Sequence, residues 1–171
     1  TDQYIVTVCK TGNNMRVFDN TGAVIGTVGA MSSPQFPTPS FEPIPYIYVP
    51  SPGNNTVYIF HNINTTPALH SSINASIATP LAVDVAYNTT ELYIANGGSN
   101  NLTWYNGAVY NSSPVTTFGG TINMGASVRF VAASRQSDVV YACTATTFQY
   151  VSTVSKTVTT SLTIGANNQY I

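Results

Sequence analysis

The chain has 171 residues, and only 6% of them are charged, against about 25% in an ordinary globular domain. Its hydrophobic content of 43% is ordinary, which excludes a disordered polar tract and favours one domain with a sizeable core. The five cations and six acids are scattered, so there is no basic stripe for nucleic acid. No apolar run approaches the ~18 residues of a membrane span. The sequence shows no signal peptide, and we expect Thr1 to be a processed mature terminus.

The first two segments predict short strands in a repeating order. The first segment begins at the second strand of its unit and gives Ile5–Val8, a Gly12–Asn14 break, Val17–Asp19 and Ala23–Val28. The second segment gives Tyr46–Val49, a Gly53–Asn55 break, Ile59–His61 and Ala68–Ile73. The parallel elements lie roughly 40–48 residues apart, a spacing typical of propeller blades.

Between these two segments, Met31–Pro45 departs from the pattern because it carries five prolines. Proline cannot lie in a central strand, so the segment is either a distorted innermost strand or a rigid surface loop. A ligand-facing loop would use Phe36 and Phe41 as stacking rings. We favour a stiff connection whose aromatic side chains fill the core of the second unit.

The third and fourth segments each predict four strands. The third comprises Leu81–Ala86, Leu92–Ala95, Leu102–Tyr105 and Val115–Phe118, with the hairpin dipeptide Asn106-Gly107 before the last strand. The fourth comprises Val128–Ala133, Val139–Ala142, Phe148–Val151 and Thr157–Ile164. Four strands in about forty residues, recurring along a chain, are typical of a β-propeller.

The third unit resembles the YVTN-type propeller repeat through Ala86-Tyr87 in its first strand and Leu92–Asn96 in its second. The resemblance extends loosely over most of the chain and implies a fold, since propellers host many unrelated activities. We therefore predict an all-β fold, a small β-propeller of about four four-stranded blades. It forms one domain with units of approximately 1–30, 31–77, 78–125 and 126–171. A β-sandwich of about fifteen strands is the main alternative.

The C-terminal stretch Gly165–Ile171 follows the fourth unit, where a next innermost strand should begin. The first unit lacks its innermost strand, so these residues could complete it and latch a closed ring. Alternatively, the same strand inserts into a neighbouring molecule and links subunits. The sequence leaves both arrangements open, because the hydrogen bonding is the same within a chain and between chains.

Cys9 and Cys143 align at one position of the second strand, matched by Pro50 and Ala95 in the other units. In a closed four-unit ring the first and fourth units are neighbours, so a disulfide between the two cysteines could staple the closure. A disulfide would also fit an oxidising compartment. The alternative is two buried free thiols.

Six Asn-x-Ser/Thr triplets lie in predicted turns or at strand ends. The acceptor residues are Asn54, Asn64, Asn74, Asn88, Asn101 and Asn111. All six triplets fall between residues 54 and 113, where a glycan could stand in solvent. We therefore expect an N-glycosylated protein of the extracellular space or cell surface, kept in solution by sugar in place of charge.

Chemistry-bearing residues are few. His61 occupies the slot of Asp19 and Asn106 in the other units, where a side chain caps the turn. Asp84 alternates with an apolar pair and should face the central channel, where a salt bridge with Arg129 is expected. No catalytic set, zinc spacing or phosphate loop is visible, so we predict no catalytic, cofactor-binding or metal site.

The predicted function is a non-enzymatic structural or assembly protein, a glycosylated subunit of an extracellular filament, sheath or surface layer. Its expected partner is itself, and its expected attachments are covalent N-glycans with no cofactor. The alternative is a secreted propeller that binds a glycan or a surface protein in adhesion. Trp104 and Tyr105 could form a sugar-stacking platform in that case, although their repeat-matched positions favour the core. A propeller lyase or lactonase is a third, weaker possibility.

Overall fold

The computed structural model describes residues 4–40, 46–107 and 117–165. Within these residues the strands form four antiparallel sheets, each built from strands that are consecutive in sequence. The sheets follow one another along the chain, and each packs face to face against the next. This is the predicted all-β propeller arrangement of four units, and the alternative two-sheet sandwich is wrong.

Strand order in space matches strand order in sequence within every sheet. The first unit comprises β1 (Ile5–Cys9), β2 (Asn14–Phe18) and β3 (Val24–Val28); the second comprises β4 (Thr38–Pro39), β5 (Ile47–Ser51), β6 (Thr56–His61) and β7 (Ala68–Ile73). The third comprises β8 (Pro80–Ala86), β9 (Glu91–Asn96), β10 (Asn101–Asn106) and β11 (Thr117–Asn123); the fourth comprises β12 (Phe130–Ala133), β13 (Val139–Cys143), β14 (Thr147–Ser152) and β15 (Val158–Thr163). A 3₁₀ turn at Pro52–Asn54 joins β5 to β6, and the described residues contain no helix able to cross a bilayer.

Asparagine explains the shape of one recurring turn, the connection that leads into β2, β6 and β10. Asn13, Asn55 and Asn100 have φ angles of 51°, 52° and 46° there, in the left-handed region that asparagine tolerates better than most residues. Two of them also hold the following linker, because Asn13 Oδ1 accepts a hydrogen bond from Ser33 N and Asn55 Oδ1 accepts one from Thr79 N. The Gly-Asn breaks therefore fix the path between consecutive units.

The proline-rich segment supplies the innermost strand of the second unit. β4 is only two residues long and pairs with β5 through Thr38 opposite Tyr48 and Pro39 opposite Ile47. Proline lacks the N–H that a longer ladder would need, which explains why this strand is so short. Of the two predicted alternatives, the distorted innermost strand is confirmed.

The core consists of three apolar clusters, each shared by two consecutive units. One lies between the first and second units around Met15, Val17, Val49 and Phe60. Another lies between the second and third units around Tyr48, Ile59, Leu92 and Ile94, and the last lies between the third and fourth around Tyr93, Leu102, Val140 and Ala142. Because side chains alternate along a strand, each inner sheet contributes one face to one cluster and its other face to the next.

A β-bulge interrupts the pairing of the two outermost strands in every unit at the same place. The register shifts between Val17 and Phe18, between Ile59 and Phe60, between Trp104 and Tyr105, and between Tyr150 and Val151. One extra residue is thereby left on the outermost strand, and the bulge increases its twist. The bulge therefore recurs at the same position in each of the four repeated units.

Candidate functional site

Asp84 lies on β8, and its carboxylate connects two innermost strands. Oδ2 accepts a 2.7 Å hydrogen bond from Ala133 N of β12, and Oδ1 accepts a 2.8 Å hydrogen bond from Val85 N. Burial raises the pKa of Asp84, while these hydrogen bonds and the charge of Arg135 act in the opposite direction. The predicted face is correct, but the predicted Arg129 salt bridge is wrong, because the carboxylate binds backbone N–H groups.

The innermost strands of the second, third and fourth units surround a cleft of about 140 Å³. Its lining includes Phe36, Thr38, Asp84 and Phe130, and Thr38 Oγ1 ties the second unit to the third by donating to Val83 O. Phe36 is 66% exposed, so the expectation that it fills the core of the second unit is wrong. Phe41, its predicted companion, lies outside the described residues.

A buried ion pair joins the third and fourth units, and no local sequence pattern signalled it. Lys156 Nζ lies 2.6 and 2.5 Å from the two carboxylate oxygens of Glu91 and 2.9 Å from the hydroxyl of Tyr93. The same ammonium lies 4.3 Å from the centroid of the Trp104 ring. Because its partners are satisfied within the protein, we assign this network to the junction between units and not to ligand binding.

Trp104 and Tyr105 belong to the core, as their repeat-matched positions predicted. Trp104 packs against the cluster between the third and fourth units, and Tyr105 lies in the cluster between the second and third. The Tyr105 hydroxyl donates a hydrogen bond to Ala75 O, and burial raises its pKa to about 12. A sugar-stacking platform at these two residues is therefore wrong.

His61 contacts His70 through a ring pair whose centroids lie 5.3 Å apart. The capping role predicted for its slot is confirmed in the first unit, where Asp19 Oδ1 accepts hydrogen bonds from Thr21 N and Ala23 N. In the described part of the chain the His61 side chain makes no such hydrogen bond to the turn, and its ring contacts His70 instead. Within residues 4–40, 46–107 and 117–165, no three His, Cys, Asp or Glu side chains are grouped closely enough to hold a metal ion.

Cys9 and Cys143 are both free thiols, so the disulfide between them is not formed. Their predicted equivalence is wrong. Val6 and Tyr141 occupy matching places in their strands, but Cys9 follows Val6 by three residues, whereas Cys143 follows Tyr141 by two. Alternation along the strand places Cys9 on the face of the first unit that points away from the second, and Cys143 on the face of the fourth unit that points away from the third. No apolar cluster of the described residues joins the first unit to the fourth, so the two thiols are not brought together.

The asparagines of the sequons differ in exposure. Four of them, Asn54, Asn64, Asn74 and Asn88, are exposed. Asn101 is half-buried, and its Oδ1 accepts a hydrogen bond from Asn96 Nδ2. Thr103, the threonine of the same Asn-x-Thr triplet, is buried. Asn111 lies outside the described residues. All six triplets belong to the second and third units, which leaves the first and fourth units without an acceptor.

The fourth unit has an aromatic face that no other described sheet covers. We call it the fourth-unit end face; it comprises Phe130, Tyr141, Phe148, Tyr150 and Leu162. Tyr141, Phe148 and Tyr150 contact one another with ring centroids 5.3–5.8 Å apart. Tyr48 and Tyr93 hold the place of Tyr141 in the second and third units and are fully buried by the following unit, whereas Tyr141 is half-buried.

The first unit has a corresponding uncovered face on its opposite side. This first-unit end face comprises Ile5, Thr7, Arg16, Phe18 and Val24. Ile5 is 59% exposed, whereas Ile47, which holds the same place in the second unit, is 4% exposed because the first unit covers it. In the described part of the chain, none of the apolar clusters includes residues of both the first and the fourth unit.

An apolar groove of about 330 Å³ runs beside the first unit. It is lined by Tyr4, Val6, Pro37, Pro39, Ile47 and Ile63. β1 is the edge of its three-stranded sheet on this side, in the place where β4, β8 and β12 complete the other three sheets. The groove therefore has the position of a missing innermost strand among the described residues.

Comparison with known proteins supports the fold and leaves the family open. No family model and no curated protein matches the chain, so the YVTN resemblance stays a prediction. Solved structures that match include hydrazine synthase of Kuenenia stuttgartiensis, with 15% identity, a TM-score of 0.77 and coverage of 91% of this chain and 44% of that one. A functionally unknown protein of Desulfotomaculum acetoxidans matches with 17% identity, a TM-score of 0.80 and coverage of 95% and 53%. A protein from Lactobacillus plantarum matches with 12% identity, a TM-score of 0.77 and coverage of 94% and 54%. The chain therefore spans about half the length of these three structures.

Proposed function

We propose that the chain is a non-enzymatic, N-glycosylated structural protein of the extracellular space that assembles with copies of itself. The observation that carries the proposal is the pair of uncovered end faces. The fourth-unit end face presents five large apolar or aromatic side chains in the place where inner sheets are covered. Aromatic side chains are the residues that protein interfaces favour most, and arginine is favoured with them.

The placement of the sequons supports the same proposal. The glycan acceptors lie on the second and third units, so sugar would coat the middle of the chain. Neither end face carries an acceptor, and a glycan would therefore not obstruct contacts there. With 6% charged residues, the exposed surface would depend on sugar and hydroxyl groups for its solubility.

Native material tests this proposal most directly. Intact mass would be measured before and after enzymatic deglycosylation, with electron microscopy of the same sample. We expect a loss of mass that maps to Asn54, Asn64, Asn74 and Asn88, with little sugar on the half-buried Asn101, and particles larger than one chain. Sugar-free monomers would contradict both the glycosylation and the assembly.

A second candidate function, glycan binding, draws on the cleft between the innermost strands. Exposed Phe36 and the Asp84 carboxylate lie in its lining, and sugar sites commonly combine an aromatic ring with a carboxylate. On an oligosaccharide array, Phe36→Ala should abolish binding, whereas Phe118→Ala, at an exposed ring on β11, should leave it unchanged. Equal loss in both variants, or no binding by the unaltered chain, would remove this candidate.

A further inference from the structure

We propose that two copies of the chain close into one ring of eight units, with the fourth-unit end face of each copy packed on the first-unit end face of the other. The inference rests on the proposed self-assembly and names its partner and geometry. A head-to-tail contact closes when its rotation completes a circle and gives an open fibre when it does not. Here the rotation is the one that already relates consecutive units within the chain.

The internal junctions show what the contact between copies would bring together. Val17 on the first unit and Tyr58 on the second meet in one apolar cluster. At the junction between copies, Tyr150 holds the place of Val17 and Arg16 holds the place of Tyr58. A guanidinium against a tyrosine ring is an attractive pair, so the two faces are chemically complementary.

The groove beside β1 gives the junction a second element. β1 has an open edge beside this groove, whose lining includes Val6 and Ile47. A strand added there would pair the open edge of β1. Residues 166–171, part of the C-terminal stretch predicted to supply such a strand, lie outside the described residues.

The usual size of propellers limits the number of copies. Propeller rings typically hold about four to eight units, so two copies of this four-unit chain form the largest ring in that range. Two copies also leave no end face uncovered, whereas a fibre would always expose one face at each end.

The solution mass of the 171-residue chain tests the inference, measured by light scattering after size exclusion. After deglycosylation we expect twice the 18.2 kDa of one polypeptide, without larger species as concentration rises, and annular particles in electron microscopy. Polymers would keep the self-assembly of the proposed function and overturn the closed ring. Monomers at all concentrations would overturn both.

Two substitutions, one that introduces a charge and one that reverses a charge, test the assigned faces. Tyr150→Arg and Arg16→Glu should each weaken dimer formation at least about tenfold, because they place like charges or an acid against the opposite face. Val154→Arg is the matched control, since Val154 is 73% exposed in the turn after β14 and lies off both end faces. Circular dichroism would establish that each variant keeps its β-sheet fold.

Mixing the two variants identifies the geometry of the junction. In each mixed pair one junction is native, and the other places the introduced arginine of one copy opposite the introduced glutamate of its partner. The mixture should therefore dimerise more tightly than either variant alone. A dimer that is indifferent to both substitutions, or a mixture that remains monomeric although the unaltered chain dimerises, would overturn the assigned junction while leaving self-association intact.

Discussion

The carboxylate of Asp84 accepts a 2.7 Å hydrogen bond from the backbone N–H of Ala133 and so joins the innermost strands of two consecutive units. In Asp84→Asn, one amide oxygen must serve the two N–H groups that two carboxylate oxygens serve now. We expect a loss of about 1–3 kcal/mol in the free energy of unfolding, because a buried donor loses its acceptor. Urea unfolding near neutral pH would measure it. Asp138→Asn, at an exposed carboxylate, is the control and should change little.

The pH dependence of the same pair has a defined sign. Burial raises the pKa of Asp84 in the folded protein above its unfolded value of about 3.9. The stability contributed by its protonation is therefore complete below the unfolded pKa and is lost as the pH rises through the folded pKa. The free energy of unfolding of the wild type minus that of Asp84→Asn should therefore increase as the pH falls. A difference that shrinks in acid would contradict this assignment.

Lys156 neutralises a carboxylate that is otherwise buried. In Lys156→Met, Glu91 keeps a side chain that is 8% exposed but loses its cation. We expect a loss of about 3 kcal/mol in the free energy of unfolding, the lower end for breaking a buried pair, because Lys156 is itself partly exposed. Adding Glu91→Gln to Lys156→Met should recover part of this loss. Strict additivity of the two substitutions would show that the pair is not coupled.

Gly119 leaves room for the Trp104 ring. A Cβ on Gly119 would overlap ring atoms of Trp104, which is packed against the cluster between the third and fourth units. Gly119→Ala should cost about 1–3 kcal/mol of stability through overpacking. Because Trp104 is the chain's one tryptophan, its emission should shift as well. Gly29→Ala, where nothing lies within 4 Å, should leave stability and emission unchanged.

The two thiols should react at different rates. The Cys9 Sγ is exposed and accepts a hydrogen bond from Gly12 N at 3.3 Å, which lowers the pKa of this thiol. Burial raises the pKa of Cys143. Alkylation with iodoacetamide, followed by mass spectrometry in the Tyr150→Arg background where the end face stays open, should label Cys9 at least about tenfold faster. Equal rates, or a linked Cys9–Cys143 peptide, would contradict this description.

Local patterns were sufficient for most strands. Ala68–Ile73 matches its predicted bounds. β8 begins one residue before its predicted start, and β9 is longer than predicted by one residue at each end. Alternation and turn residues are properties of neighbouring positions, and these the sequence displays directly. Alternation also placed Asp84 on the correct face, because Val83 and Val85 pack in the opposite cluster.

Several of the failures depend on residues that are distant in sequence. Glu91 and Lys156 are 65 residues apart, and Lys156 stands in a turn where no periodicity marks it. The backbone partner of Asp84 could not be read from side-chain types. Cys9 and Cys143 were misaligned by one residue, because strand pairing matches Val6 with Tyr141, and a shift of one residue reverses the face of the sheet.

Because every apolar cluster is shared by two units, no unit has a core that it could keep when separated from its neighbours. Stability then propagates along the chain as a series of nearest-neighbour couplings, in the manner of a repeat protein. The second and third units are each held on two sides, whereas the first and fourth are each held on one within a single copy. Unfolding should begin at the outer units and move inward, and hydrogen exchange should be slowest at β5, β6, β9 and β10. Closure of a ring would remove this gradient and make all four units equally protected.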